Sequence, residues 1–137
     1  AIIDEETMTP RPNYWAALIW GRLMGEEVLD ADAIAGPDLH VYAHCLKDRS
    51  RGVGLVALNL DRGTSRSIDL SLPAQRYTLT SDDLLSHSVK LNGKTLELEN
   101  DDIPSLNAVS QAPGQVSLPA ASITFLAVPD AGNKVCR

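Results

Sequence analysis

Short segments in which apolar and polar residues alternate fill the chain from residue 27 to residue 128, and they constrain the fold most. Such alternation is typical of half-buried antiparallel strands, and it is cleanest in "IDLSL" and "TLELE". "LVALNL" is more continuously apolar, as expected of a central strand. The pattern predicts strands at 27–32, 39–46, 53–60, 65–72, 75–80, 88–91, 95–99, 115–118 and 121–128. About eight or nine short strands at this spacing predict a mainly β fold, an antiparallel β-sandwich.

The segments between these strands carry turn and loop signals. Asn92-Gly93 lies between "VKL" and "KTLEL" and predicts a tight hairpin, because both turn residues tolerate positive φ. We expect one helical turn within 81–88 and a long loop over 100–114.

One helix is predicted before the strands, over 14–24 ("YWAALIWGRLM"), with Asn13 as N-cap and Gly25 as C-cap. Apolar residues cover most of its circumference, and such a helix needs burial on two sides. A lone sandwich offers one side, so the pattern predicts a contact with a further domain. The helical spacing of Trp15 and Trp20 predicts core packing for both rather than sugar stacking.

Length and charge exclude several classes of function. The 137 residues suffice for one domain with its own core. The net charge of -6, with no cluster of Lys and Arg, disfavours nucleic acid as a partner. No apolar run approaches the ~20 residues that a transmembrane helix needs. The chain starts within "AII", without an initiator Met, as expected of a piece of a longer polypeptide, a processed chain or an expression boundary.

The two cysteines lie far apart in the sequence. Cys45 ends a predicted strand, and Cys136 is next to the last residue. A disulfide between them would join the C-terminal tail to the sheet and imply an oxidising compartment. Two unpaired thiols, one buried and one in the tail, are equally compatible with the spacing, because sequence alone does not give the pairing.

A series of motifs adds a family resemblance. The run "IIDEETMTPRPNYWAALIWGRLMGEEVL" resembles the end of the catalytic domain of glycoside hydrolase family 79, which holds heparanases, leech-type hyaluronidases and β-glucuronidases. The resemblance continues in the family's order through "LHVYAHC", "GLVALNL", "LLSHSVKLNGKTLEL", "IPSL" and "SLPAASITFLAV", and it ends on a cysteine near the terminus. It covers nearly all of the chain, and "SVKLNGKTL" and "LPAASITF" are its most specific segments.

The resemblance implies an architecture, because the family joins a (β/α)8 barrel to a C-terminal β-sandwich. Residues 1–25 resemble the end of the last barrel strand and its helix, and 26–137 resemble the sandwich domain. Cys45 and Cys136 stand where relatives carry a strand-to-tail disulfide, so a structural disulfide is implied. The helix residues implied to pack on the barrel are Tyr14, Trp15, Leu18, Ile19 and Leu23.

The resemblance also implies where the chemistry lies. The family's two catalytic glutamates are on middle barrel strands, in segments that would precede Ala1. No catalytic, cofactor-binding or metal-binding residue is therefore expected in this chain, which by itself would be inactive. Its implied partner is the upstream barrel, in the same polypeptide or as a separate processed chain, and a glycan substrate would bind through that barrel. The implied location is secreted or extracellular, with periplasmic, lysosomal and vacuolar locations also compatible.

Several polar clusters are weaker candidates for a site. Asp4, Glu5 and Glu6 follow a short apolar strand, where a barrel carries active-site loops, but a solvated or capping cluster is favoured. His40 and His44 share one strand face without a third ligand, which favours a surface or packed pair over zinc. Calcium is disfavoured, for lack of alternating oxygen ligands, at Asp82-Asp83 and Asp101-Asp102.

Three hypotheses about function follow. In the first, the chain is the C-terminal sandwich portion of a secreted retaining β-glucuronidase or heparanase-like glycoside hydrolase. It would act on glucuronides or glucuronic-acid-containing glycans by supporting the catalytic barrel. In the second, it is a stand-alone, non-catalytic β-sandwich that binds carbohydrate or protein. In the third, it is a structural domain bound to a separately encoded barrel chain.

Overall fold

The computed structural model describes residues 3–4, 9–10, 12–81, 88–100 and 102–137, and for 3–4, 9–10 and 12 it describes the backbone alone. The elements within these ranges are β1 (Ile3–Asp4), β2 (Thr9–Pro10), α1 (Pro12–Leu23), β3 (Met24–Leu29), β4 (Leu39–Leu46), β5 (Val53–Asn59), β6 (Arg66–Leu70), β7 (Ala74–Thr80), β8 (Lys90–Leu91), β9 (Lys94–Thr95), β10 (Val109–Gln111), β11 (Gly114–Leu118) and β12 (Ser122–Val128). Neighbouring strands pair antiparallel throughout. For the described residues, the prediction of a mainly β, antiparallel fold preceded by a helix is confirmed, and the sandwich arrangement stays a prediction.

Most of the strands form one large sheet. Its order is β3-β4-β5-β12-β7-β8-β9, and β10 pairs with β7 beside this path. The last strand of the chain, β12, lies in the middle of the sheet, where Phe125 pairs with Val56 on one side and Tyr77 on the other. Outside the large sheet, β6 and β11 pair with each other as a two-stranded ribbon. β5 carries the continuously apolar "LVALN" and lies between β4 and β12, as predicted for a central strand.

Two clusters of buried side chains lie on opposite faces of the large sheet, because alternate residues of a strand point to opposite faces. The first joins Leu55 and Leu126 of the sheet to Val116 and Leu118 of the ribbon. The second joins Val56 and Phe125 of the sheet, among others, to side chains of α1. The chain is therefore layered as ribbon, sheet and helix.

The helix differs from the prediction at both ends. It begins at Pro12, so Asn13 lies inside it and is not the N-cap. Proline suits a first helical position because the amide hydrogen that it lacks would have no partner there. The helix ends at Leu23, and the chain continues directly into β3.

Gly25 is a strand residue and not the predicted C-cap. A Cβ at this position would lie 2.6 Å from the carbonyl oxygen of Cys45 on the neighbouring strand. Glycine is therefore needed here for the close approach of two backbones, not for a left-handed turn. Because Met24 and Gly25 belong to the large sheet, the proposed domain boundary after residue 25 falls inside a strand, and it stays a prediction.

Gly25→Ala is expected to lower the free energy of unfolding by about 1 to 3 kcal/mol, because the added methyl group meets rigid backbone. Gly21→Ala provides a matched control, since a Cβ at this helical position has nothing within 4 Å. The control is expected to raise the free energy of unfolding by about 0.5 to 1 kcal/mol through helix propensity. Urea denaturation of both variants would measure the difference, and equal effects would contradict the packing argument.

Three strand and loop predictions have different outcomes. The hairpin at Asn92-Gly93 is confirmed, with φ of 50° and 85°. The predicted strand 95–99 is wrong beyond Thr95, although Leu96 and Leu98 still pack inward as the alternation indicates. The predicted loop 100–114 contains β10, which pairs with β7. The helical turn predicted within 81–88 lies almost wholly outside the described residues.

Within the described part of the chain, no helix combines the length and the hydropathy that crossing a membrane requires.

Candidate functional site

The helix side chains implied to pack on a barrel contact the chain's own sheet. Trp15 and Ile19 are each only 1% exposed within the second buried cluster. Tyr14, Leu18 and Leu23 are partly buried against the same cluster. The sheet therefore covers one side of α1, and a contact between these residues and a barrel stays a prediction.

An apolar groove lies beside this helix and is the candidate functional site. It has a volume of about 460 Å³ and is called here the Trp20 groove. One wall is helical and the floor comes from β4, β5 and β12, and the lining residues are Ala16, Ala17, Trp20, Tyr42, Val56, Leu58, Ile123 and Phe125. Trp20 is 37% exposed and Tyr42 is 50% exposed. The prediction that Trp20 is a core residue is therefore wrong, because the sheet covers only one side of the helix.

The indole of Trp20 is held by two aromatic contacts. Its ring lies edge-on to His44, with centroids 5.1 Å apart, and edge-on to Phe125 at 6.5 Å. His44 is itself fixed, since its Nδ1 lies 2.6 Å from the carbonyl oxygen of Gly25. The exposed aromatic surface of the groove is thus positioned by residues beneath it.

The predicted polar candidates do not assemble into a site. His44 packs against Trp20, whereas His40 is exposed four residues away on the same strand face. Within the described part of the chain, no group of three or more His, Cys, Asp or Glu side chains has metal-binding geometry. Glu5, Glu6, Asp82, Asp83 and Asp101 lie outside the described residues, and Asp4 is described only by its backbone.

The lining of the Trp20 groove defines its chemistry. Among its described lining residues there is no carboxylate, histidine, lysine or arginine, and Tyr42 supplies the only ionisable side chain. Solvent-exposed apolar surface of this kind favours contact with another apolar surface. Sequence reasoning missed Tyr42, Leu58 and Ile123. The alternation in "LHVYAHCL" places Tyr42 on the other face of the strand from Val41 and Ala43. It does not show whether that face is covered.

A disulfide joins Cys45 to Cys136, as the resemblance implied. The S–S distance is 2.08 Å, and the two residues are separated by 91 positions. Cys136 is 2% exposed, and its carbonyl oxygen accepts a hydrogen bond from the amide of Arg51. The amide of Asn133 donates to the carbonyl of Arg51 at 3.0 Å. The tail is therefore tied to the β4–β5 connection by covalent and hydrogen bonds.

A buried amide organises the loop after β5. Asn59 is 1% exposed, and its Nδ2 lies 3.0–3.1 Å from the carbonyl oxygens of Thr64, Leu118 and Pro119. Its Oδ1 accepts a hydrogen bond from the amide of Asp61 at 3.1 Å. This side chain links the large sheet to the ribbon strand β11.

The carboxylate of Asp61 closes the same loop. It accepts hydrogen bonds from the amides of Gly63 and Thr64, both at 3.0 Å, and pairs with Arg66 at 3.4 Å. The Gly63 hydrogen bond is the main cause that holds the pKa of Asp61 below its usual value, although partial burial acts in the opposite direction. These contacts give Asp61 a structural role in the turn.

Comparison with known proteins identifies the family. No family model matches the chain. It is 37% identical to a baicalin-β-D-glucuronidase of Scutellaria baicalensis over 80% of this chain and 22% of that protein. It is 34% identical to heparanase of Gallus gallus over 93% of the chain and 27% of that protein. It is 30% identical to a hyaluronoglucuronidase of Hirudo nipponia over 99% of the chain and 31% of that protein.

The relatives are much longer than this chain, which spans between a fifth and a third of their length. Among solved structures, a family 51 α-L-arabinofuranosidase from Thermotoga petrophila RKU-1 superposes on 66% of this chain, and the matched region is 19% of the arabinofuranosidase. Its TM-score of 0.42 and identity of 13% are too low to carry an argument. All three sequence relatives are named as glycosidases of the glucuronidase or heparanase kind. By these relatives, the chain belongs to the heparanase-like glycoside hydrolases of family 79.

Proposed function

We propose that the chain is the C-terminal portion of a secreted, retaining β-glucuronidase or heparanase-like hydrolase that acts on glucuronides or glucuronic-acid-containing glycans. In this proposal, residues 1–25 belong to the last barrel element and 26–137 form the supporting domain. The two catalytic glutamates lie on the barrel, outside this chain. The barrel is either continuous with the chain or a separate processed partner.

The Trp20 groove carries this proposal. Its eight lining residues have no charged side chain, and Trp20 and Tyr42 leave aromatic surface exposed beside the helix. A second apolar layer on this side of α1 would bury that surface, and each Å² of apolar area removed from water contributes roughly 25 cal/mol. The relatives also extend well beyond the region that this chain matches. The additional polypeptide would supply such a layer.

The disulfide supports the proposed location. Disulfides persist in oxidising compartments, so the Cys45–Cys136 bond favours a secreted or extracellular enzyme. Periplasmic, lysosomal and vacuolar locations are compatible with the same argument.

A charge placed in the groove tests the docking surface. Ala17 is exposed and lines the groove, so Ala17→Glu is expected to change the unfolding free energy of the isolated chain by less than about 0.5 kcal/mol. In the longer polypeptide, the same carboxylate would be buried without a partner and is expected to cost about 2 kcal/mol or more. Thermal unfolding of both proteins would measure the two effects.

Asn13→Glu is the matched control, since Asn13 is exposed on the same helix but does not line the groove. It is expected to be nearly neutral in both proteins. Hydrolysis of an aryl β-glucuronide should appear only in the longer polypeptide. Two results would oppose the proposal: a neutral Ala17→Glu in the longer polypeptide, or turnover by the isolated chain that is lost on substituting one of its own carboxylates.

A stand-alone carbohydrate-binding module is the second candidate, and the exposed rings of Trp20 and Tyr42 favour it. Sugar recognition combines aromatic stacking with several polar contacts, whereas the other lining residues that the structure describes are aliphatic or phenylalanine. Titration of glucuronic-acid oligosaccharides into the chain separates the candidates. Saturable quenching of tryptophan fluorescence that is absent in Trp20→Phe would support the module.

A further inference from the structure

A second groove lies on the ribbon side of the large sheet, around a partly buried arginine. It has a volume of about 460 Å³ and is called here the Arg76 groove. Its lining residues are Arg76, Thr78, Thr80, Asn92, Gly93, Val109, Gln111 and Pro119. Arg76, Thr78 and Thr80 alternate along β7, so their side chains share one face of the sheet.

Neutral oxygens hold the guanidinium of Arg76 in place. Its Nε donates to Thr78 Oγ1 at 2.7 Å, its Nη1 to Gln111 Oε1 at 3.2 Å and its Nη2 to the carbonyl of Ser117 at 2.7 Å. Thr78 Oγ1 is in turn 3.1 Å from the fully buried Thr124 Oγ1. The head group is therefore positioned from three directions before any ligand arrives.

The charge of Arg76 has no protein counterion within the described part of the chain. The ion pairs of described arginines are Arg49–Asp130 and Arg66–Asp61, and neither involves Arg76. Loss of water around the guanidinium lowers the pKa of Arg76, because burial disfavours its charged form. A partly buried cation that is surrounded only by neutral acceptors is incompletely compensated.

The hydrogen-bonding capacity of Arg76 is also incomplete. A guanidinium has five N–H groups, and the three bonds above leave one on Nη1 and one on Nη2. Two N–H groups are what a carboxylate accepts in a bidentate pair. The hydroxyl of Thr80 forms no hydrogen bond with another described residue, and it lies on the same face, two residues beyond Thr78.

We propose that the Arg76 groove binds the carboxylate of a small acidic ligand, with Arg76 as the anion-binding residue and Thr80 as a supporting hydroxyl. A monoanion is favoured over a phosphate or sulfate dianion, because Arg76 is the only cationic side chain among the described lining residues and the whole chain carries a net charge of -6. This site lies on the face of the sheet opposite the Trp20 groove. It does not depend on the function proposed above.

Binding to the isolated chain provides the test, with side-chain and amide chemical shifts as the readout and no enzyme activity involved. We expect saturable shifts of Arg76 Nε–H and of the Thr78 and Gly93 amides with D-glucuronate or acetate, each of which carries one negative charge. The first probe presents its carboxylate on a sugar and the second does not. Their relative affinity therefore shows whether the ligand is a sugar acid or a simple carboxylate. Methyl glucoside, which is neutral, and inorganic sulfate should give no saturable shift.

Two substitutions distinguish binding from structure. Arg76→Lys keeps the charge but loses the planar fork, and it is expected to weaken carboxylate binding by about tenfold or more. Thr80→Val leaves the contacts of Arg76 intact and should weaken binding several-fold without changing the unfolding midpoint. Absence of saturable shifts with both carboxylates would overturn the proposal, as would equal binding of sulfate or unchanged affinity in Arg76→Lys.

Discussion

Removal of the disulfide is expected to lower the free energy of unfolding by about 4 to 5 kcal/mol, because the bond closes a loop between residues 91 positions apart. Much of the effect acts on the unfolded chain, whose conformational entropy the bond restricts. The bond also holds Cys136, which is only 2% exposed, beside the β4–β5 connection. This loss is a large fraction of the stability of a domain of this size.

The measurement is guanidinium denaturation of the oxidised chain, the reduced chain and Cys45→Ala/Cys136→Ala. The reduced chain and the double variant should agree within about 1 kcal/mol, and reductant should leave the double variant unchanged. The hydrogen bonds between Arg51 and the tail join backbone atoms, so none of the three proteins loses a hydrogen-bonding group there, and the comparison reports mainly on the covalent bond. A loss below about 1 kcal/mol would contradict the loop-closure argument.

Asn59→Asp is expected to destabilise the chain by about 3 to 5 kcal/mol at neutral pH. The substitution replaces an amide that faces three carbonyl oxygens with a carboxylate in the same buried position. The donor is lost and like partial charges are brought together. The new carboxyl would have a raised pKa in the folded chain, so the penalty should develop as pH rises through the unfolded value of about 4 and shrink below it.

Asn133→Asp serves as the control for this change. The Oδ1 of Asn133 accepts a hydrogen bond from the amide of Val135 at 2.9 Å, a role that an aspartate oxygen also fills. It is expected to change the unfolding free energy by less than about 0.5 kcal/mol. Denaturation of both variants at pH 7 and pH 4 gives the comparison. A neutral Asn59→Asp, or a penalty that does not depend on pH, would show that the amide is not the link between sheet and ribbon.

Local patterns predicted much of the secondary structure for identifiable physical reasons. The strand 39–46 has the predicted bounds, and Asn92-Gly93 forms the expected hairpin because both residues adopt positive φ. Burial alternates correctly through Leu96 and Leu98 even where no strand forms. Alternation reports which side chains face the core, whereas a ladder also needs a neighbouring strand, and that neighbour is set by tertiary structure.

The two grooves depend on tertiary contacts that no local pattern encodes. The apolar surface of α1 indicates burial on several sides, but only the packed sheet shows that Trp15 is covered and Trp20 is not. Gly25 has the spacing of a helix cap, and its true role comes from a backbone that lies 20 residues further along the chain. Arg76 carries no sequence signal at all, since its partners come from β10, β11 and its own strand.

The junction of α1 and β3 has a mechanical consequence. Leu23 ends the helix and Met24 begins a strand of the large sheet, so no flexible residue separates them. The Nζ of Lys47 reinforces this junction by donating to the carbonyl of Gly21 at 3.1 Å. The helix and the sheet should therefore move together as one rigid body. Motion of a preceding polypeptide relative to the sheet would need a hinge before Pro12.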